Sequence, residues 1–165
     1  MNPSEHQFKT IYESNYPKVL RLCLGYTNGD MVSSKDLVQE TFIKVWENLE
    51  SFRNQANIST WIYRITVNTC LLELRKKKDV RLSNQNSNIA DSSLEVFDDK
   101  DIKLKKLYQC IGKLKTENKS IILLELEGLP QKDIAEIMGL SHDVIRVRIH
   151  RIKNELTQCV KNDNI

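Results

Sequence analysis

No stretch of this sequence is apolar for long enough to cross a bilayer, and its first residues lack the basic-then-apolar pattern of a secretory signal. Both absences point to the cytoplasm, with no direct membrane insertion. The four cysteines, Cys23, Cys70, Cys110 and Cys159, form no CxxC pair and stand at no metal-ligand spacing with histidine. Cys23 and Cys110 sit among apolar residues of predicted helices, so the expectation is reduced thiols packed as small hydrophobes. Also missing are a nucleophile beside a base, a carboxylate pair and a glycine-rich phosphate loop. An enzyme is therefore not expected, and neither is a cofactor, a metal or a small-molecule substrate. Nor does one sign of charge dominate: 25 Lys and Arg stand against 22 Asp and Glu. That excess is too mild to announce a nucleic-acid binder by itself, because phosphate affinity comes from local clusters.

What is present is a globular composition, 40% hydrophobic and 28% charged over 165 residues, enough for one ordinary domain or two small ones. The charge is unevenly placed. Residues 1–78 carry 11 basic and 8 acidic side chains, residues 79–100 carry 2 and 5, and residues 101–165 carry 12 and 9. Two basic ends flank an acidic middle. That middle, DVRLSNQNSNIADSSLEVFDDK, holds no helical or strand period and reads as a flexible linker with a local contact at Leu94, Val96 and Phe97.

Elsewhere the period is helical and the expected fold class is all-α, two small helical domains joined by the acidic linker. Phe8, Ile11 and Tyr12, then Val19, Leu22, Cys23 and Tyr26, keep a helical spacing, with Pro17 expected to open a second helix. Thr27-Asn28-Gly29-Asp30 ends it. The next helix is expected over about 34–49, capped by Ser33 or Ser34. Val38, Phe42, Val45, Trp46 and Leu49 share its apolar face, and Asp36, Gln39, Glu40 and Lys44 line the other, with Leu37 among them. After the polar loop SFRNQANIS, Ser59 or Thr60 caps a helix to about Lys78 that is apolar on two sides and therefore central. Its last residues, Arg75, Lys76, Lys77 and Lys78, either suit the helix dipole or form a phosphate-contacting end. In the last third, Leu104, Leu107, Ile111 and Leu114 make one helix, residues 115–118 a turn and residues 120–126 a short apolar helix.

The most informative stretch is QKDIAEIMGLSHDVIRVRIHRIKNEL, residues 131–156. It reads as two helices hinged at Gly139, whose glycine supplies the positive φ of a tight turn, with Ser141 capping the second. Ile145, Ile149, Ile152 and Leu156 form one buried stripe. The opposite side carries Asp143, Val147, His150, Arg151 and Asn154, flanked by Arg146. This is either a helix-turn-helix that reads a major groove or an ordinary amphipathic hairpin with a solvated charged face.

Taken together, Asp36 to Phe42 (DLVQETF) with Trp46, Ser59 to Ile65 (STWIYRI) with Asn68, Glu127-Gly128-Leu129 and the C-terminal hairpin resemble bacterial RNA polymerase sigma factors of the sigma-70 family, extracytoplasmic-function group. The resemblance covers nearly the whole chain outside the linker. It implies a region 2-like domain over 1–78, a linker over 79–100 and a region 4-like helix-turn-helix domain over 101–165. It makes Asp36, Gln39 and Glu40 a docking surface for core RNA polymerase. It assigns the loop before the STWIYRI helix to melting of the minus-ten element, with Asn57, Arg64 and Asn68 at a flipped base and Arg75 to Lys78 on phosphates. In the C-terminal helix, Arg146, Val147, His150 and Arg151 would face bases of the minus-thirty-five element and Lys153 a phosphate, whereas Arg148 reads as structural, paired with Glu136. Where Val144 and Val147 stand the family usually has small hydroxyl residues, which implies a divergent target. The partners implied are core polymerase, promoter DNA and an anti-sigma factor. The alternative is a stand-alone helix-turn-helix regulator that binds DNA without polymerase.

Overall fold

Pro17 does not open a helix; it lies inside one. In the computed structural model, which describes residues 3–54, 56–83 and 99–162, α1 runs unbroken over Pro3–Tyr26. A mid-helix proline removes one hydrogen bond and crowds the preceding turn, at about 3 kcal/mol. Burial of the shared apolar face outweighs this. Ile11 before the proline and Val19, Leu22, Cys23 and Tyr26 after it all lie in the core, and each large apolar side chain buried contributes about 1.5–3 kcal/mol.

A turn with Asn28 and Gly29 at positive φ leads to α2, Met31–Asn48. This helix begins earlier than the serines suggested. Asp30 is its cap, accepting from the Val32 N–H at 3.2 Å and the Ser33 hydroxyl at 2.7 Å, and the Ser33 hydrogen bond holds its carboxyl below the usual carboxylate range. Ser34 is instead fully buried, its hydroxyl 2.6 Å from that of Thr27. Leu37 also points inward, and Trp46, expected in the core, is 45% exposed. A single 3-10 turn at Leu49–Ser51 follows.

Helix α3 spans Ile58–Ser83 and packs on both α1 and α2. Its inward face is Ile62, Tyr63, Thr66, Val67 and Cys70, while Leu72 is exposed. Neither Ser59 nor Thr60 caps it. Asn57 does, through its side-chain oxygen accepting from the Ser59 N–H at 2.9 Å. Because α3 continues to Ser83 and α4 begins at Asp99, both edges of the expected linker are helical. Residues 84–98, with the contact expected at Leu94, Val96 and Phe97, lie outside the described residues.

The second unit comprises α4 (Asp99–Gly112), α5 (Thr116–Leu126), α6 (Gln131–Met138) and α7 (His142–Asn162). Helix α5 starts within the stretch expected to be a turn. Leu104 is half exposed, so α4 is anchored instead by Cys110 and Ile111. Cys110 is not a free thiol: it is bonded to Cys159 near the end of α7, with the two Cα atoms 6.0 Å apart. Cys23 and Cys70 are buried free thiols with their sulfurs 3.9 Å apart, and the Cys70 thiol is pushed up by that contact and by burial. The second unit sits directly on the first through α1 and α3, and their buried residues form one continuous core.

Candidate functional site

The hairpin α6–α7 is built as its pattern demands. Gly139 adopts φ 66°, closing α6 with its N–H on the last carbonyls, and the Ser141 hydroxyl accepts from the Val144 N–H at 3.3 Å. Ile134 and Ala135 of α6 are buried against Ile145, Ile149, Ile152 and Leu156 of α7, each less than a tenth exposed. With that stripe fixed inward, about 100° per residue leaves Arg146, Val147, His150 and Arg151 on the solvent side, where all four are exposed. Arg146 lies 3.4 Å from Asp143, and His150 Nε2 lies 3.4 Å from Asn154 Nδ2. The Arg146 pair is largely exposed and worth under about 1 kcal/mol, so Arg146 can leave it for a base or a phosphate.

Two cations of α7 are engaged elsewhere. Arg148 does not pair with Glu136 as expected; it donates to Glu117 at the start of α5 at 2.6 Å. Lys153 is 3.1 Å from Glu125 of α5, so its use on a phosphate requires giving up that carboxylate. Glu136 reaches Arg64 on α3 at 3.5 Å.

At the other candidate site, Asn57, Arg64 and Asn68 are all exposed along the first three turns of α3. Asn68 therefore faces solvent rather than the core side of its helix. Asn57 spends its oxygen on the cap and keeps its amide N–H groups for another partner. Ser59 donates to buried Asn15 at 2.9 Å, and Asn15 donates to the Ile11 carbonyl at 2.8 Å, tying the start of α3 to α1. Arg75 to Lys78 are exposed, but α3 runs past them to Ser83. They sit in the helix body, where the dipole gives them little; Arg81 takes the last turn.

On α2, Asp36 and Gln39 are exposed, and half-buried Glu40 pairs with Lys44 at 3.4 Å. Lys44 also donates to Thr69 Oγ1 at 3.2 Å, bracing α2 against α3. Beside Gln39 opens a groove of about 470 Å³ between α1 and α2, lined among others by Phe8, Tyr12, Phe42, Ile43 and Trp46. Its rings pack tightly, Tyr12 on Phe42 at 4.7 Å and Phe8 edge-on to Trp46 at 5.2 Å. Trp46, expected in the core, lines this groove instead. The signal was there: Gln39, Ile43 and Trp46 stand at i, i+4, i+7, one outward stripe carrying an aromatic and an aliphatic side chain.

Among the described residues no helix is long and apolar enough to cross a membrane. Residues 11–80 match the model of Sigma-70 region 2, and residues 104–156 match that of Sigma-70, region 4. The chain is 33% identical over 162 residues to the ECF RNA polymerase sigma-E factor of Haemophilus influenzae, covering 88% of this chain and 83% of that protein. It is 29% identical over 152 residues to the RNA polymerase sigma factor YlaC of Bacillus subtilis, covering 88% and 87%. Its fold is that of the sigma factor RpoE from Bartonella quintana, solved in complex with the anti-sigma factor NepR, at TM-score 0.81 and 22% identity, covering 96% of this chain and 99% of that one. The two matched regions, the order in which they stand and the exposed α7 face between buried isoleucines agree: the chain belongs to the sigma-70 family of RNA polymerase sigma factors, in its extracytoplasmic-function group.

Proposed function

We propose that the two helical units divide promoter recognition, residues 1–78 binding core polymerase and the minus-ten element and residues 101–165 reading the minus-thirty-five element. As a sigma factor the chain binds core RNA polymerase and directs promoter-specific initiation. It carries out no covalent chemistry of its own and works in the cytoplasm. The observation that carries the division is the α7 face: Val147, His150 and Arg151 stand exposed on the side away from a buried stripe, with exposed Arg146 on their flank, the arrangement a groove-reading helix requires. Arg146 and Arg151 are suited to guanine O6 and N7, Val147 to a thymine methyl. Asn57, Arg64 and Asn68 serve the melted strand, and the ring of cations at Arg75 to Lys78 serves its phosphates. Asp36, Gln39 and Glu40 meet core polymerase. Because RpoE of Bartonella quintana is held by NepR, an anti-sigma factor is expected here too.

Run-off transcription with purified core polymerase, with and without this protein, on a library of genomic promoter fragments tests the reading. New transcripts should appear only with both components. A protein that shifts promoter DNA alone and adds no transcript would be a stand-alone regulator instead. Two substitutions probe the assignments. Arg151→Ala should relax base preference in the upstream element and cost about 1–3 kcal/mol on the best promoters; an equal loss on every promoter would make it a phosphate contact. Gln39→Ala with Glu40→Ala should weaken core binding by about 1–2 kcal/mol and move the unfolding midpoint little, because both side chains lie off the core. A double variant that unfolds would make them structural.

A further inference from the structure

The structure assigns Cys110 and Cys159 as a reversible dithiol–disulfide site, oxidised by a hydroperoxide and reduced by a dithiol, whose bonded form holds α7 in place for reading DNA. The consequence for promoter choice and the cytoplasmic setting of the pair rest on the reading proposed above; the chemistry of the pair does not.

Helix α7 is tied down by side chains at three points along its length. Arg148 donates to Glu117 at the start of α5, Lys153 donates to Glu125 near its end, and Cys159 is bonded to Cys110 of α4. The first two are exposed ion pairs, of a kind that contributes little. The apolar stripe of α7 ends at Leu156; beyond it Cys159 and Val160 are partly buried and no described residue of the helix is fully so. The bond is therefore the main anchor of the last turns. Its other end is Cys110, which with Ile111 supplies the buried side chains of α4. Reduction frees α4 and α7 from each other in a small unit with a correspondingly small core. A cross-link over a sequence separation of 49 restricts the unfolded chain strongly, so its loss shifts the unit toward forms in which α7 is no longer seated on its neighbours. Arg146, Val147, His150 and Arg151 stand on that same helix.

Cytoplasmic thiols are kept reduced, and a disulfide formed there is as a rule transient and redox-sensing. The pair can be reached from one side. Cys110 is 1% exposed, whereas Cys159 is partly exposed near the end of α7, so an oxidant meets the Cys159 sulfur first. Its thiolate attacks hydrogen peroxide: an S–O bond forms, the O–O bond breaks, and hydroxide leaves and takes up a proton as water. Cys110 then attacks the sulfenic acid; the S–S bond forms, the S–O bond breaks, and the second oxygen leaves as water with the Cys110 proton. Two thiols have lost two electrons and one peroxide has become two waters. On the way back a dithiol attacks the Cys159 sulfur, Cys110 leaves as thiolate, and the second thiol of the reductant releases Cys159. The chain carries its own contrast. The sulfurs of Cys23 and Cys70 are 3.9 Å apart, but both residues are fully buried, and the contact with Cys23 and burial push the Cys70 thiol up. That pair lacks both the exposure and the thiolate that oxidation needs.

Counting free thiols by alkylation of the denatured full-length chain reads the switch. The oxidised protein should show the two thiols of Cys23 and Cys70, the protein treated with dithiothreitol all four, and the same protein after hydrogen peroxide two again. Hydrogen exchange should be faster in the reduced protein at the amides of α7, and little changed in α2. In run-off transcription with core polymerase, replacing the upstream element of a responsive promoter should matter less to the reduced protein. The ratio of transcript from intact and replaced promoters should fall about fivefold if the reading form drops to about a fifth of the population. Cys159→Ser should behave as the reduced parent in either buffer, which also shows that peroxide is not acting through the polymerase. Because the main comparison uses the unmodified chain, a variant that fails to fold leaves it standing. A bond that survives a glutathione buffer of cytoplasmic poise, or thiols that peroxide does not rejoin, would overturn the reversible site. Equal exchange of α7 in both states, or equal dependence on the upstream element, would overturn its hold on the helix. Failure of the sigma reading would register separately, as absence of transcript in both states, and the thiol count and the exchange would still decide the switch.

Discussion

Truncating Ile149 to alanine should lower the stability of the protein by about 2–5 kcal/mol, the range for deleting a buried branched side chain and leaving a cavity. Ile149 is 3% exposed and sits in the middle of the stripe formed with Ile145, Ile152 and Leu156. The unit it belongs to is only α4–α7, and small helical units have a few kcal/mol in hand. The loss therefore threatens the whole of α7, and on the proposed assignment upstream-element dependence should fall although Arg146, His150 and Arg151 are unchanged. Val147, on the opposite side and 44% exposed, is the control: Val147→Ala should stay within about 0.5 kcal/mol and act, if at all, through base preference. Urea unfolding of both variants separates the two effects. Equal midpoints would mean that the stripe is not the core of the unit.

The second large effect concerns the bond that the sequence reading did not foresee. Cys110 and Cys159 close a loop with a sequence separation of 49, and cross-linking a loop of that size stabilises by about 4 kcal/mol through the lost freedom of the unfolded chain. Oxidised Cys159→Ser protein should be less stable than the oxidised parent by roughly that amount. Adding a thiol reductant should bring the parent down to the variant and leave the variant where it was. Midpoints that coincide in oxidised buffer as well would show that the bond does not form.

Much of the fold was legible because its signals are local. The period of Ile145, Ile149, Ile152 and Leu156, the glycine at Gly139 and the cap at Ser141 each depend on neighbours within a few residues, and the hairpin formed as read. The misreadings have a common physical origin in distant partners. Pro17 stays inside α1 because residues on both sides of it bury against α2 and α3. Ser34, a reasonable cap by type, is taken by Thr27 across the turn, and the cap falls to Asp30. Arg148 and Glu136 find partners on α5 and α3 instead of each other. The disulfide joins residues that no spacing rule connects. In the candidate sites, exposure of Arg146, Val147, His150 and Arg151 followed from the helical period, whereas the aromatic groove beside Gln39 needed α1 laid against α2.

By itself, then, the sequence determined an all-helical chain with a hairpin at one end whose second helix is apolar on one side and basic and polar on the other, and a helix near the other end with one polar face, because helix faces are set by spacing alone. Only the tertiary structure decided what those faces meet. It set α5 on Gly25 of α1, locked Glu127 in the fork of Arg21 and joined Cys110 to Cys159. Such contacts depend on how whole helices pack, and packing is settled by shape and burial summed over the core, a quantity that no local pattern contains.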